Sequence, residues 1–474
     1  MKIKFFSILA ILVILIASIG PGSALAGSYE TSFVTSIVYQ NIGSVATTTL
    51  TIYFYDSPDD TTPIPVSRPN LNPGAGTSVY IGNLTEVSPN FRGTAVLSAD
   101  QPLAATLVQN PQSTSVKVQP LSSGFSDGTP NTLIATVLKN AFPSGGSSYY
   151  TVFSVQNAGL TETTIDIKFY AVSGGAPILP PAYQDVVLQP GAGIVVDAGT
   201  ISQLGSTFNG SVVVESTGGA IVSSAMELVS NAITDASAFE GAGSGSTTFY
   251  MPSAACVSYG MSTAFAVQNT SLTTATNVTI FYTGGGQETK LIQPGSKQSF
   301  ITCNIKSTNY LGAATIESAT TNVIAMGKLF GAGASTAYLG FDSGSQKIAL
   351  PYVRWGNNAH YLSGWMPRTN LAIQNVGGTT IAANQVTVRY VDRDGNTLGT
   401  HTIPFSFAPG EKRNSNPSSA GLTEFGCYSS CNQFGGSAIV EGPAGAQLAV
   451  IARNTLYINA SLSANEDYNG TVMP

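Results

Sequence analysis

Charge is scarce in this chain. Aspartate, glutamate, lysine and arginine make up 9% of its 474 residues, against a usual share of about a quarter. The formal net charge is −6, with no dense lysine or arginine cluster. That excludes the basic footprint of nucleic-acid binding and a polybasic lipid-binding segment. Histidine occurs only at His360 and His401. No His/Cys/Asp set has metal-ligand spacing, and a Ser-His-Asp triad would need one of those two without a nucleophile-elbow pattern. No cofactor is expected. Long apolar runs are missing after residue 19, and no later stretch sustains a helical period.

What is present is apolar and hydroxylic. The chain is 43% hydrophobic, so it can bury a core, unlike a disordered chain of low hydrophobicity and high charge. Its surface is then expected to be neutral and hydroxyl-rich, which suits a densely packed extracellular layer.

The N-terminus reads as a Sec signal peptide over residues 1–26. Lys2 and Lys4 precede an apolar run, residues 5–19, interrupted only by Ser7 and Ser18. Pro21-Gly22 breaks the run, and Ala24-Leu25-Ala26 offers a small-x-small cleavage pattern. The run is short against the roughly 20 residues of a membrane span. The expected location is extracellular or at the cell surface, with no membrane span after cleavage.

A fourfold internal repeat organises the remainder, recurring about every 110 residues. A Gln-Asn pair ends an alternating strand at Gln40-Asn41, Gln156-Asn157, Gln268-Asn269 and Gln374-Asn375. A second alternating strand follows and ends in a tyrosine: Tyr55, Tyr170, Tyr282 and Tyr390. A Pro-Gly turn comes next, at Pro73-Gly74, Pro190-Gly191, Pro294-Gly295 and Pro409-Gly410. An aromatic-x-Gly then opens a hairpin: Phe91-Arg92-Gly93, Phe208-Asn209-Gly210, Tyr310-Leu311-Gly312 and Phe434-Gly435-Gly436. Period-2 strands rich in Val, Ile, Thr, Phe and Tyr, cut by turns at short intervals, predict antiparallel β-sheet. Repeats of this length with about seven strands predict an all-β fold: a tandem array of about four immunoglobulin-like β-sandwich domains. The expected boundaries are 27–120, 131–240, 247–338 and 347–474, with short Gly/Ser-rich linkers that allow bending.

On these motifs the chain resembles secreted multi-repeat immunoglobulin-like surface proteins of prokaryotes. In those, a leading strand, a strand ending in Gln-Asn, an x-Pro-Gly turn and an aromatic-x-Gly hairpin recur in this order. The resemblance implies a location and an architecture, not a reaction.

Four cysteines in an exported chain suggest disulfides. Three pairings are open. Locality within a repeat favours Cys256 with Cys303 and Cys427 with Cys431, worth about 4 and about 2 kcal/mol on a chain-entropy account; the rival is four free thiols. Asp392-Arg393-Asp394-Gly395-Asn396 has part of a calcium-loop pattern but reads better as an Asp-Gly hairpin turn. Trp355, Tyr361 and Trp365 cluster with Arg354 and His360 in one insert. They are either a glycan or protein contact or a cap on their own sandwich. Glu215, Glu317 and Glu441 recur at similar hairpin positions and read as surface decoration rather than a carboxylate pair for glycoside hydrolysis.

The first repeat has no leading strand after residue 26, while the tail Gly470-Thr471-Val472-Met473-Pro474 resembles the approach to one. A bare sheet edge and a spare strand invite pairing between chains. The expected role is therefore a non-catalytic structural component of the cell surface, a fibre, sheath or layer subunit. Its expected partners are other copies of itself or surface components, with head-to-tail strand exchange through that tail. The alternatives are an adhesin or carbohydrate-binding array, and more remotely a secreted hydrolase.

Overall fold

The structure is a computed structural model that describes residues 12–16, 33–112, 118–144, 147–229, 235–331, 334–356, 365–426, 436–458 and 461–474. The third repeat shows the plan. One antiparallel sheet runs Thr248–Cys256, Tyr310–Ser318, Thr276–Tyr282, Gln287–Ile292. The other runs Lys297–Ile301, Ser262–Asn269, Val323–Gly331, Ala334–Leu339. The remaining six sheets repeat this order, giving four two-sheet sandwiches in an all-β chain. The tyrosine strands alternate as the period-2 rule demands. Leu50, Ile52 and Phe54 are buried in the first repeat, Ile165, Ile167 and Phe169 in the second, and Val278, Ile280 and Tyr282 in the third.

The Gln-Asn strands behave differently toward their Gln-Asn ends, where both faces are buried, and in the second repeat so does the whole neighbouring strand. Every residue of Ile221–Val229 is buried, serines included. Thr35, Thr106, Ser223, Ser224, Thr263 and Thr369 are likewise inside. Many of the hydroxyls expected at the surface therefore lie between sheets. Small hydroxylic side chains let two faces approach closely and still hydrogen-bond when buried.

What covers the second face is the preceding sandwich of the ring. The repeats do not form a bending string but close into a ring. Their last strands, Leu121–Ser123, Ala236–Glu240, Ala334–Leu339 and Ser461–Asn469, lie side by side in that order, and the fourth returns to the first. The linkers are tied down rather than loose. Ala242 bridges to Leu133 and Phe341 to Tyr250, each within its own repeat. Gly241 is a glycine because a Cβ there would stand 2.0 Å from Ser223 Oγ.

Both chain ends depart from expectation. The tail is not spare: Thr471–Val472 pairs antiparallel with Ile348 and Ala349 of its own fourth repeat. Met473 donates its amide to Lys347 O at 3.0 Å. The first repeat does have a leading strand, supplied by the run read as an export signal, since Leu12–Ile16 pairs with Gly93–Ala99.

Candidate functional site

The repeated sequence motifs converge on the seams between sandwiches. The asparagine of each Gln-Asn pair works within its own repeat. Asn41, Asn157 and Asn375 donate to Val45, Thr161 and Thr379 O at 2.8 Å and to Leu71, Leu188 and Phe407 O at 3.0 Å. Each also accepts from an amide two residues on, at Gly43, Gly159 and Gly377. Asn269 repeats the pattern with Thr274, Ile292 and Ser271. One buried amide thus saturates a loop that has no ladder partner.

The glutamine works across the seam. Gln40, Gln156, Gln268 and Gln374 donate Nε2 to the carbonyl of Gly74, Gly191, Gly295 and Gly410 in the Pro-Gly turns. Three of them also reach the preceding sandwich of the ring: Gln156 to Ala95 O, Gln268 to Val212 O, and Gln40 to Ser437 Oγ at 2.8 Å. Thr94 and Ser211, just past the aromatic-x-Gly, donate back to Gly191 O and Gly295 O at 2.8 Å. The Pro-Gly glycine is needed twice. Gly191 and Gly295 have φ of +80° and +66°, and a Cβ would stand 2.3 and 2.4 Å from the rings of Tyr55 and Tyr170 across the seam. The third-to-fourth seam lacks this set: Ala313 replaces the hydroxyl, and open space surrounds Gly410.

A further repeated residue escaped the sequence reading. Thr35, Thr151, Thr263 and Thr369 stand at one fixed distance before the four glutamines, and all are fully buried. Thr151, Thr263 and Thr369 accept the amides of Leu138, Ala255 and Arg354, where the leading strand crosses between sheets, at 2.9, 2.9 and 2.8 Å. Thr35 Oγ1 donates to Gln109 Oε1 at 2.9 Å. The fixed spacing was the available signal.

The seams differ in charge. Between the second and third sandwiches, Lys328 pairs with Glu227 at 2.6 Å and stands over the Tyr149 ring at 4.2 Å. Lys297 Nζ reaches Thr136 Oγ1 at 2.6 Å. Burial pushes its ammonium down to about 8, with Glu227 pulling it up and Lys328 adding to the fall. Between the third and fourth, Arg453 forks onto Asp467 at 2.9 and 2.7 Å and also reaches Ser253 Oγ at 3.1 Å. Lys412, at the position equivalent to Lys297, is pushed down to about 7 by burial and by Arg453. The other two seams are mainly apolar. Phe33 and Val118 pack with Met226, Leu228 and Ala238 at one, and Val38, Val108 and Leu121 join the fourth core at the other. Glu466 is buried there, facing the first repeat, and burial raises its carboxyl well above the ordinary range, with Asp235 and Asp467 adding to it.

The other candidates separate. Cys256 and Cys303 are bonded, tying the end of the third leading strand to the segment after Lys297–Ile301. Cys427 and Cys431 lie outside the described residues, as do Tyr361 and His360. Trp355 is half-buried against the fourth core, with the Arg368 guanidinium 4.6 Å over its ring. Trp365 opens the strand Trp365–Asn375. His401 Nδ1 meets Ser415 Oγ at 2.9 Å, and burial lowers its pKa. Asp392 Oδ1 accepts the amides of Asp394 and Asn396, an Asx-type turn. Arg393 O in that turn accepts Gly76 N of the first repeat at 3.1 Å, so the turn is a seam element. Glu215 pairs with Lys168 at 2.5 Å and Glu441 with Arg389 at 3.6 Å. In the fourth repeat the ring over Gly436 is Phe425, while Phe434 lies outside the described residues. Among the described residues, no three or more His, Cys, Asp or Glu side chains gather where they could hold a metal ion. Neither the protein-family models nor the curated proteins searched contain a match to this chain.

Proposed function

We propose that this chain is an exported, non-catalytic structural protein of the cell surface, a ring-shaped building block of a fibre, sheath or layer. One observation carries the reading. The residues copied into every repeat (Gln, Asn, Thr, Pro-Gly and aromatic-x-Gly) hold strands, loops and seams together, and the one polar atom they leave unbonded in all four repeats, the glutamine Oε1, is sealed away from any substrate. A copied active site would keep its polar atoms for a substrate. Head-to-tail exchange through Gly470–Pro474 would first have to peel Thr471–Val472 from Ile348 and Ala349. Assembly through outer faces of the ring therefore fits better than exchange of that tail. Electron microscopy of the native cell surface, with the purified protein beside it, tests this. Ordered arrays or fibres with a repeat the size of the ring are expected. Isolated rings that bind glycans would favour an adhesin, and isolated rings that hydrolyse them an enzyme.

A further inference from the structure

We infer that the apolar segment Leu12–Ile16 is kept in the folded protein as the leading strand of the first sandwich, so that a run with the character of an export signal also serves as a structural strand. At its centre its pairing position is that of the other three leading strands. Ile14 pairs with Ala95, just as Ile134 pairs with Val212, Met251 with Ala314 and Leu350 with Ala438. Two residues on, Ile16 faces Gly93 without a bulge, whereas Val137 faces Gly210 and Ala254 faces Gly312 only after a one-residue bulge.

A leading strand also holds the ring together. Asn131–Lys139 lies against Ser262–Asn269 and Val323–Gly331 of the next sandwich. Thr248–Cys256 lies against Trp365–Asn375 and Leu448–Ile458, and Lys347–Leu350 against Leu103–Pro111. Leu12–Ile16 takes the same place against Ser147–Asn157 and Ile221–Val229 of the second sandwich. Without it, the first seam would lose its wedge and Gly93–Ala99 would become a bare edge.

Among the described residues, the ring offers no substitute. Each later leading strand comes from the linker after the preceding sandwich. In the ring, the sandwich preceding the first is the fourth, and the residues following its last strand pair with Ile348 and Ala349 of that same fourth repeat. Leucine, valine and isoleucine suit a sheet strand as well as they suit an apolar export run. The assignment holds whether or not the protein is a surface subunit.

The test has two arms. The first is peptide mapping of the folded, exported protein combined with amide exchange. Recovery of residues 12–16, with Gly93–Ala99 protected like Phe208–Ser216, is the expected result. An exported protein that lacks the segment overturns the assignment. The second arm uses a chain beginning at Gly27 and a synthetic peptide of residues 1–19. Adding the peptide is expected to slow exchange across Gly93–Ala99 by on the order of tenfold or more. A peptide carrying Val13→Pro and Leu15→Pro is expected to do nothing, because proline removes ladder donors. Equal protection with and without peptide, or an equally active proline peptide, overturns the assignment.

Discussion

The seam between the second and third sandwiches and the seam between the fourth and first are built on the same backbone scheme, yet they fill it oppositely. In both, a glutamine reaches from a Pro-Gly carbonyl to the neighbouring sandwich. Around it, the first of these seams buries Lys297 and Glu227 with Lys328 half-buried beside them, and the other buries Val38, Val108 and Leu121 beside one carboxyl, Glu466. The scheme that sets register is thus separate from the chemistry that sets strength. Four near-copies can close into one ring while each seam remains distinct, which helps each copy find its own neighbour.

The largest break should come from the charged seam. Glu227→Ala leaves Lys328 without its carboxylate, and removing one partner of a buried pair costs about 3–5 kcal/mol. Glu227→Met combined with Lys328→Met should recover most of that loss. Denaturant melts followed by amide exchange at this seam, so that a multi-domain transition is resolved locally, would check both. If the double variant is as weak as the single, the pair is not the unit of stability.

Next comes an apolar seam. Phe33, almost fully buried at 1% exposure, packs on the second sandwich. Phe33→Ala should cost about 3–4 kcal/mol through the cavity it leaves, with exchange rising on both sides of that seam and little change at the charged one. Loss spread evenly round the ring would erase the distinction.

Acid and base should act on the two seams in opposite directions. Lys297, held down to about 8, binds fewer protons folded than unfolded between that value and the ordinary lysine range. Its contribution therefore improves as pH rises through this window, and Lys297→Met should flatten the rise. Glu466, with its carboxyl raised, binds more protons folded than unfolded. Its contribution is present at low pH and is lost as pH climbs above the ordinary carboxylate range, so Glu466→Gln should stabilise the neutral protein. Melting temperature against pH for the two variants reads out both signs.

The smallest effect concerns one hydroxyl. Ser211→Ala removes the bond to Gly295 O and should cost about 1 kcal/mol, visible as faster exchange near Gly295. No change there would make the hydroxyl incidental.

Much of this was legible in the sequence. Period-2 alternation gave the strands, and Gln-Asn, Pro-Gly and aromatic-x-Gly marked each sandwich because each has a local geometric task. Cys256 and Cys303 followed from their shared repeat. The ring was not legible. Short Gly/Ser linkers look alike whether they swing freely or, like Gly241, pass within contact of a neighbouring serine. Burial on both faces of Ile221–Val229 leaves no polar stripe to flag a seam, because serine serves there as well as outside. Leu12–Ile16 could not be read as a strand, because an apolar run before a small-x-small site satisfies an export pattern just as well.

Small-angle X-ray scattering of the folded protein tests ring closure most directly. A closed ring predicts a radius of gyration near that of a compact chain of this length, about 23 Å, and Gln40→Ala with Ser437→Ala should shift it upward by loosening the fourth-to-first seam. A value roughly twice that figure, as for four compact domains strung in a row, would contradict the ring.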